Sequence, residues 1–174
     1  GTDTEEDAAL FERPFGPTGS SAGANGSVSG THVYANNGDY DLTVCVLDDD
    51  GANGCNTVTV TLSVGNVAPV LFVGRDKIVR EGEPVTISLT TFVDAGSLDT
   101  HTATIDWGDT TATPGIVTED PFGPPGSTSG ANGVISGTHV YADDREVPYT
   151  VNVAVCDSDQ SCVSSTLTVT VSNV

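Results

Sequence analysis

One stretch of the chain occurs twice, and a duplication of that size narrows the folds open to it more than any other feature. The first copy is PFGPTGSSAGANGSVSGTHVYANNGDYDLTVCVLDDD, from Pro14 to Asp50; the second is PFGPPGSTSGANGVISGTHVYADDREVPYTVNVAVCDSD, from Pro121 to Asp159. His32 and His139 are 107 positions apart, Tyr40 and Tyr149 are 109 apart, and Cys55 and Cys162 are 107 apart again. The second copy therefore inserts two residues before its tyrosine and gives them up in the following loop. Solenoid units repeat every ~20–50 residues, so a period this long describes a whole domain. On this offset Gly1 stands against Gly108 and Glu12 against Glu119. Residues 1–65 thus match only the second half of what residues 66–174 contain, and their early strands are expected to be missing or donated by another chain.

The periodic segments are rich in Val and Thr and are separated by Gly, Pro, Asn, Asp and Ser, a strand-and-turn composition. Tyr40, Leu42, Val44 and Val46 alternate with Asp41, Thr43, Cys45 and Leu47. Val58, Val60, Leu62 and Val64 alternate with Thr and Ser. Period two over such lengths predicts half-buried strands. Gly65–Pro69 reads as a linker, and its Asn66-Val67 recurs as Asn173-Val174, which points to an array. Beyond it, strands are predicted at 70–73, 78–79, 85–89 (Val85, Ile87 and Leu89 on one face), 102–107, 116–117, 134–141, 149–155 and 167–171. Residues 92–100, FVDAGSLDT, read as an acidic loop, His101 as solvated, and 121–133 as irregular. The Gly/Pro/Ser-rich stretches 14–26 and 121–133, with Phe15 and Phe122, are candidate contact surfaces between units. No apolar run approaches the ~20 residues of a membrane-spanning helix. No signal peptide opens the chain, which reads as a mature or excised segment.

The formal net charge is −19, with 24 acidic residues against 5 basic ones. Such a field disfavours nucleic acid and anionic membranes. It suits a well-solvated acidic surface, hard cations such as Ca²⁺ held by clustered carboxylates, or a basic partner. The four cysteines, Cys45, Cys55, Cys156 and Cys162, flank one acidic loop in each copy. Of the three pairings open to them, the repeat selects Cys45–Cys55 and Cys156–Cys162. A zinc site fits poorly, since the spacing is not C-x-x-C and the loops carry hard oxygen ligands. Disulfides place the chain outside a reducing cytosol.

Short strands punctuated by turns, with Trp107 on the third strand of the second unit, predict an all-β protein of tandem Ig-like Greek-key β-sandwiches. The residues Asn66–Pro69, Thr104-Ile105-Asp106-Trp107-Gly108-Asp109, Gly137-Thr138-His139-Val140-Tyr141 and Tyr149-Thr150-Val151 carry a more specific likeness. On them the second unit resembles a PKD (polycystic kidney disease) domain, a module common in prokaryotic-type surface proteins. The likeness covers residues 66–174 as a complete domain and 1–65 as its C-terminal part without the Trp-Gly-Asp strand. It implies an extracellular or cell-surface, non-catalytic spacer or interaction module, and names no ligand. In that anatomy Trp107 fills the space between sheets and its indole N–H finds a partner. Tyr149 occupies the place of a tyrosine corner, His32 and His139 make structural hydrogen bonds, and Asp106 and Asp109 cap a turn.

The residues show no catalytic constellation: no nucleophile motif of the G-x-S-x-G kind, no cleft-spanning acid pair, and every cysteine assigned to a bridge. The candidate chemistry is calcium binding. In an Ig-like sandwich the loops carrying Asp94/Asp99 and Asp157/Asp159 meet at the pole where Asn66 enters, and five oxygen-bearing side chains suit a cation that takes six to eight oxygens. The expected function is a structural or adhesive repeat module of a long extracellular surface or fibre-forming protein. Its expected partners are neighbouring copies of the repeat, by strand donation, or a cell-surface protein or glycan. The alternative is a carbohydrate-binding or spacer domain of a secreted hydrolase, which would show a row of exposed aromatic rings.

Overall fold

The computed structural model describes residues 9–12, 25–47, 58–120 and 130–174. Every regular element among them is a β-strand. The chain divides into two compact units, Gly1–Val33 and Tyr34–Val174.

The first unit contributes a hairpin of β1 (Ala9–Glu12) and β2 (Gly26–Ser29). In the second unit, β3 (Gly38–Val44) and β4 (Val58–Val64) form another hairpin. The remaining strands are β5 (Val70–Phe72), β6 (Lys77–Arg80), β7 (Pro84–Asp94), β8 (Thr102–Asp106), β9 (Ala112–Glu119), β10 (Ala131–Val140), β11 (Tyr149–Cys156) and β12 (Cys162–Ser172). They form one eight-stranded sheet in the order β5-β7-β10-β9-β8-β11-β12-β6. All its pairings are antiparallel except β12 with β6.

Strand β9 lets this sheet fold on itself. Its first half pairs with β8, through Ala112 to Gly115, and its second half with β10, through Ile116 to Glu119. On either side of this corner the strands turn one face of side chains inward. Val85, Ile87, Phe92 and Ile135 come from one half of the sheet, and Ile105, Val151, Val153, Val155, Leu167, Val169 and Val171 from the other. They close into a single core with Trp107, Tyr141 and Tyr149. An all-β chain whose sheet buries one face of each half in this way is consistent with a β-sandwich. At ~25 cal/mol per Å² of apolar surface, burial of these side chains is the main source of stability.

The aromatic centre is tied down by polar groups. The Trp107 indole N–H donates to Thr113 Oγ1 at 2.9 Å, as its burial requires. Tyr141 Oη donates to the Trp107 carbonyl at 2.8 Å. His139 stacks on Trp107 with centroids 4.9 Å apart and bonds Asp109 Oδ2 through Nε2 at 2.7 Å. Asp109 Oδ1 also caps the Thr111 N–H at 3.1 Å, while Asp106 Oδ1 caps the Gly108 N–H at 3.0 Å, so both acids hold the turn as expected. Tyr149 Oη donates to the Asp143 carbonyl six residues upstream, at 3.1 Å, and its ring lies 4.2 Å from that of Tyr141. This is the corner geometry anticipated for Tyr149.

The repeat is written into the strand pairing. Leu10 faces Val28 in the first copy as Val117 faces Ile135 in the second, and Leu42 faces Val60 as Val151 faces Leu167. Even the corner recurs: Tyr40 Oη donates to Asn36 O at 2.8 Å and its ring lies 4.2 Å from Tyr34.

Strand β7 departs most from expectation, running on through Asp94 where an acidic loop was expected. Between Ile87↔Gly137 and Thr90↔Ile135 it spends one residue more than β10, a β-bulge. That extra residue reverses the alternation. Val85 and Ile87 point inward before it; Thr90, Phe92 and Asp94 point inward after it, and Leu89 is exposed instead of buried. Strand β10 likewise begins at Ala131, which is buried and faces Asp94, inside the stretch expected to be irregular. Phe15 and Phe122 lie outside the described residues.

Candidate metal centre

Three carboxylates meet at the pole of the sheet where the linker enters. Asp94 ends β7, Asp99 lies in the following loop and Asp157 follows β11. All three are buried, and one oxygen of each lies within 4.8 Å of the others. Burying three like charges together is unfavourable unless hydrogen bonds, protonation or a cation compensate.

Asp94 and Asp157 are compensated in the protein. Asp94 Oδ1 accepts the Gly96 N–H at 2.8 Å, and its Oδ2 lies 3.2 Å from His101 Nε2. Asp157 Oδ1 accepts the Ser161 N–H at 2.8 Å. Its Oδ2 accepts from Asn66 Nδ2 at 2.8 Å, and the same amide nitrogen reaches Ser161 Oγ at 3.0 Å. Burial works to raise the Asp157 pKa, but the bonds from Asn66 and from the Ser161 and Asp159 backbones, with the charge of His101, outweigh it and hold the carboxyl below its ordinary range.

Asp99 is the exception. Its Oδ1 accepts a bond of 3.3 Å from Ser158, whereas its Oδ2 is buried without any hydrogen-bond partner. Burial first, then the charges of Asp94, Asp159 and Asp157, push its pKa up against the weaker pull of Ser158. The loop is built to let this carboxylate approach: a Cβ on Gly96 would overlap Asp99 Oδ2. Gly130, at φ +62°, passes so close to the Asp94 carbonyl that no side chain fits there either.

Of the five residues anticipated, Asp94, Asp99 and Asp157 converge, and Asn66 is joined to them through Asp157. Asp159 stands apart: its side chain is exposed, and it acts through its backbone on Asp157 and through its charge on Asp99. His101 corrects the sequence reading, which had it solvated. It is buried, bonded through Nδ1 to Glu119 Oε1 at 2.7 Å and packed 4.4 Å from the Phe92 ring. Its parity carried the signal, because it falls in step with Ala103 and Ile105, the inward positions of β8, and with Trp107 just beyond the strand.

The disulfide Cys156–Cys162 forms between directly opposed residues of β11 and β12. It closes the loop that carries Asp157. Cys45 is also disulfide-bonded, while Cys55 and the acidic run Asp48–Asp50 lie outside the described residues.

A second acidic group, Glu81 with Asp143 and Asp144, lies elsewhere. Both Glu81 oxygens accept backbone N–H groups, from Val174 and Asp144, at 3.3 Å, so that cluster is already hydrogen-bonded. Set against protein-family models and curated proteins, the chain finds no match.

Proposed function

We propose that the chain is a non-catalytic structural or adhesive repeat module of a long extracellular surface or fibre-forming protein. Its units are Ig-like, PKD-type sandwiches, and Ca²⁺ stiffens the pole at which one unit joins the next. One observation carries the calcium reading: the buried, unpaired Oδ2 of Asp99 inside a triad of buried carboxylates. A hard cation suits this all-oxygen donor set, which holds no cysteine sulfur. Asp94, Asp99 and Asp157 would supply the charge. Asn66, whose Nδ2 is engaged with Asp157 and Ser161, would offer its carbonyl oxygen. A bound Ca²⁺ would supply the positive charge that the triad lacks. Because Asn66 belongs to the linker preceding β5, the protein's own contribution is to fasten that linker to the β11–β12 loop.

The repeat and the disulfide-closed hairpin support the array and the extracellular setting. The carbohydrate-binding alternative needs a row of exposed rings, whereas Trp107, Tyr141 and Tyr149 are buried. Calorimetry of the chelated protein with and without added Ca²⁺ tests the reading. At a hundredfold excess over Kd, stabilisation of about 2.7 kcal/mol is expected. An unchanged melting temperature removes calcium from it.

A further inference from the structure

The two copies meet at the acidic pole. Within the second compact unit, the Leu98 N–H donates to the Ala35 carbonyl at 3.2 Å. Leu98 lies in the loop between β7 and β8, next to Asp99, and Ala35 belongs to the tyrosine corner of the first copy. Residues 25–33 of that copy are exposed, whereas 34–37 are half-buried. The corner is shaped from within. Tyr40 Oη bonds Asn36 O at 2.8 Å and reaches Asn37 O at 3.4 Å, and Asn36 Oδ1 accepts the Asn37 N–H at 3.0 Å.

On the other side of this contact, loop 94–99 is a compact turn that serves two partners. The Gly96 N–H donates to Asp94 Oδ1 at 2.8 Å and the Asp99 N–H to the Gly96 carbonyl at 3.2 Å, which closes the turn. The carboxylates of Asp94 and Asp99 join the buried triad, while the Leu98 N–H reaches the first copy. Leu98 and Asp99 share a peptide bond, so the turn cannot shift beneath the carboxylate without moving the donor. Charge suits the contact. The first copy carries Asn36 and Asn37 where the second carries Asp143 and Asp144. A corner with amides there approaches the acidic pole without the repulsion that two further carboxylates would add.

From these observations we infer that the corner at residues 34–38 is the docking partner of loop 94–99, and that this docking is coupled to cation binding at Asp94, Asp99 and Asp157. Both events need the same turn held in one conformation, so whichever comes first lowers the ordering cost of the other. Linkage makes the effect reciprocal: the ion tightens the joint by the factor by which the joint tightens the ion. Asn66 ties the linker to Asp157, and the Ala35–Leu98 bond ties the preceding copy to the Asp99 loop. The affinity of the site is therefore set in part by residues of the first copy that touch no ligand. The inference rests on the reading of this pole as a cation site.

The probe is Ca²⁺ itself, added to the isotopically labelled full chain. Saturating Ca²⁺ should slow exchange of the Leu98 amide about tenfold, while that amide stays less protected than those of β11, so that the opening it reports is local. Two variants loosen the contact from its two sides and leave the carboxylates in place. Tyr40→Phe removes the bonds that hold the corner, and an ester analogue with leucic acid at position 98 removes the donor N–H. Each should weaken Ca²⁺ binding about fivefold by titration calorimetry, with the amides of β11 and β12 as the folding control. Two outcomes overturn the inference: Leu98 exchange unmoved by Ca²⁺, or wild-type Ca²⁺ affinity in either variant. A chain that binds no Ca²⁺ removes the metal reading, and Asp99→Asn in chelator then decides the coupling, since it relieves the same repulsion. Slowed Leu98 exchange in that variant retains the link between pole and corner; unchanged exchange overturns it.

Discussion

Asp99 is the residue at which the energetics of this protein are least balanced. It keeps a buried oxygen unpaired and stands among other acids. Asp99→Asn removes the charge while keeping much of the shape. In chelator it should stabilise the protein and raise the melting temperature, because burial and the neighbouring acids disfavour the Asp99 charge. In calcium it should lose the ligand-dependent increment, so the order of wild type and variant reverses between the two buffers. Thermal scans of both proteins in both buffers read this directly. The pH profile follows from the same group. The folded-state pKa of Asp99 is raised, so in chelator stability grows as pH falls from neutrality through that pKa. Asp157 and Asp109 are shifted the other way, Asp109 because bonds from Thr111 and His139 outweigh the effect of burial. Their contributions are full above the ordinary aspartate value of about 3.9 and are lost as pH falls through their lowered values. A stability maximum on the acid side of neutrality is expected in chelator, and a flatter profile with saturating Ca²⁺. Melting curves across pH check it, and a monotonic fall from neutrality in chelator would contradict it.

At the scale of elements, the bulge in β7 and the closed β11–β12 loop build the pole together. The bulge turns Asp94 inward, and Gly96 leaves room for Asp99 beneath it. Gly96→Ala should therefore push the Asp99 carboxylate out, weaken calcium binding at least tenfold, and leave the β8–β11 core intact. Isothermal titration together with near-ultraviolet circular dichroism separates the two effects. The Cys156–Cys162 bridge closes a short loop, with a sequence separation of 6. By loop-closure entropy its removal should cost about 2 kcal/mol. Since that loop carries Asp157, the reduced protein or a double serine variant should also respond less to Ca²⁺. Equilibrium denaturation of oxidised and reduced protein measures the first effect, and repeating it with calcium measures the second.

Over the whole molecule, charge is the dominant fact. A net charge of −19 repels itself throughout, and any salt that shortens the Debye length to ~3 Å at 1 M should stabilise the fold. Sodium chloride should raise the melting temperature gradually up to molar concentration, while millimolar Ca²⁺ should act in one saturable step. If the two ions superimpose when plotted against ionic strength, the effect is screening alone. The two copies should also separate. Among the described residues, the side chains of the buried core all lie within 66–174, so unfolding followed residue by residue should show the amides of β11 and β12 opening only with the global transition. Those of β3 and β4, whose apolar face is exposed, should exchange at far lower cost.

Much of this was open to reading in one dimension because period-two alternation and duplication are local facts about a chain. The strands around Ile105, Val151 and Leu167, the inward Trp107, the turn roles of Asp106 and Asp109, and the pairing of Cys156 with Cys162 all follow from parity, turn chemistry and comparison of the copies. Residues 94, 99 and 157 could be named as neighbours only by borrowing the loop geometry of a sandwich. What the tertiary structure decided lay where one residue changes the count or where distant segments meet. The bulge in β7 is silent in the sequence, yet it exchanges Leu89 for Asp94 as an inward side chain and makes the acidic pole a buried one. His101 becomes a core residue because β8 lies beside β9 and brings Glu119 to it. The difference between the two copies is likewise tertiary: nearly the same hairpin is a core in one and an exposed face in the other, because burial depends on what lies opposite.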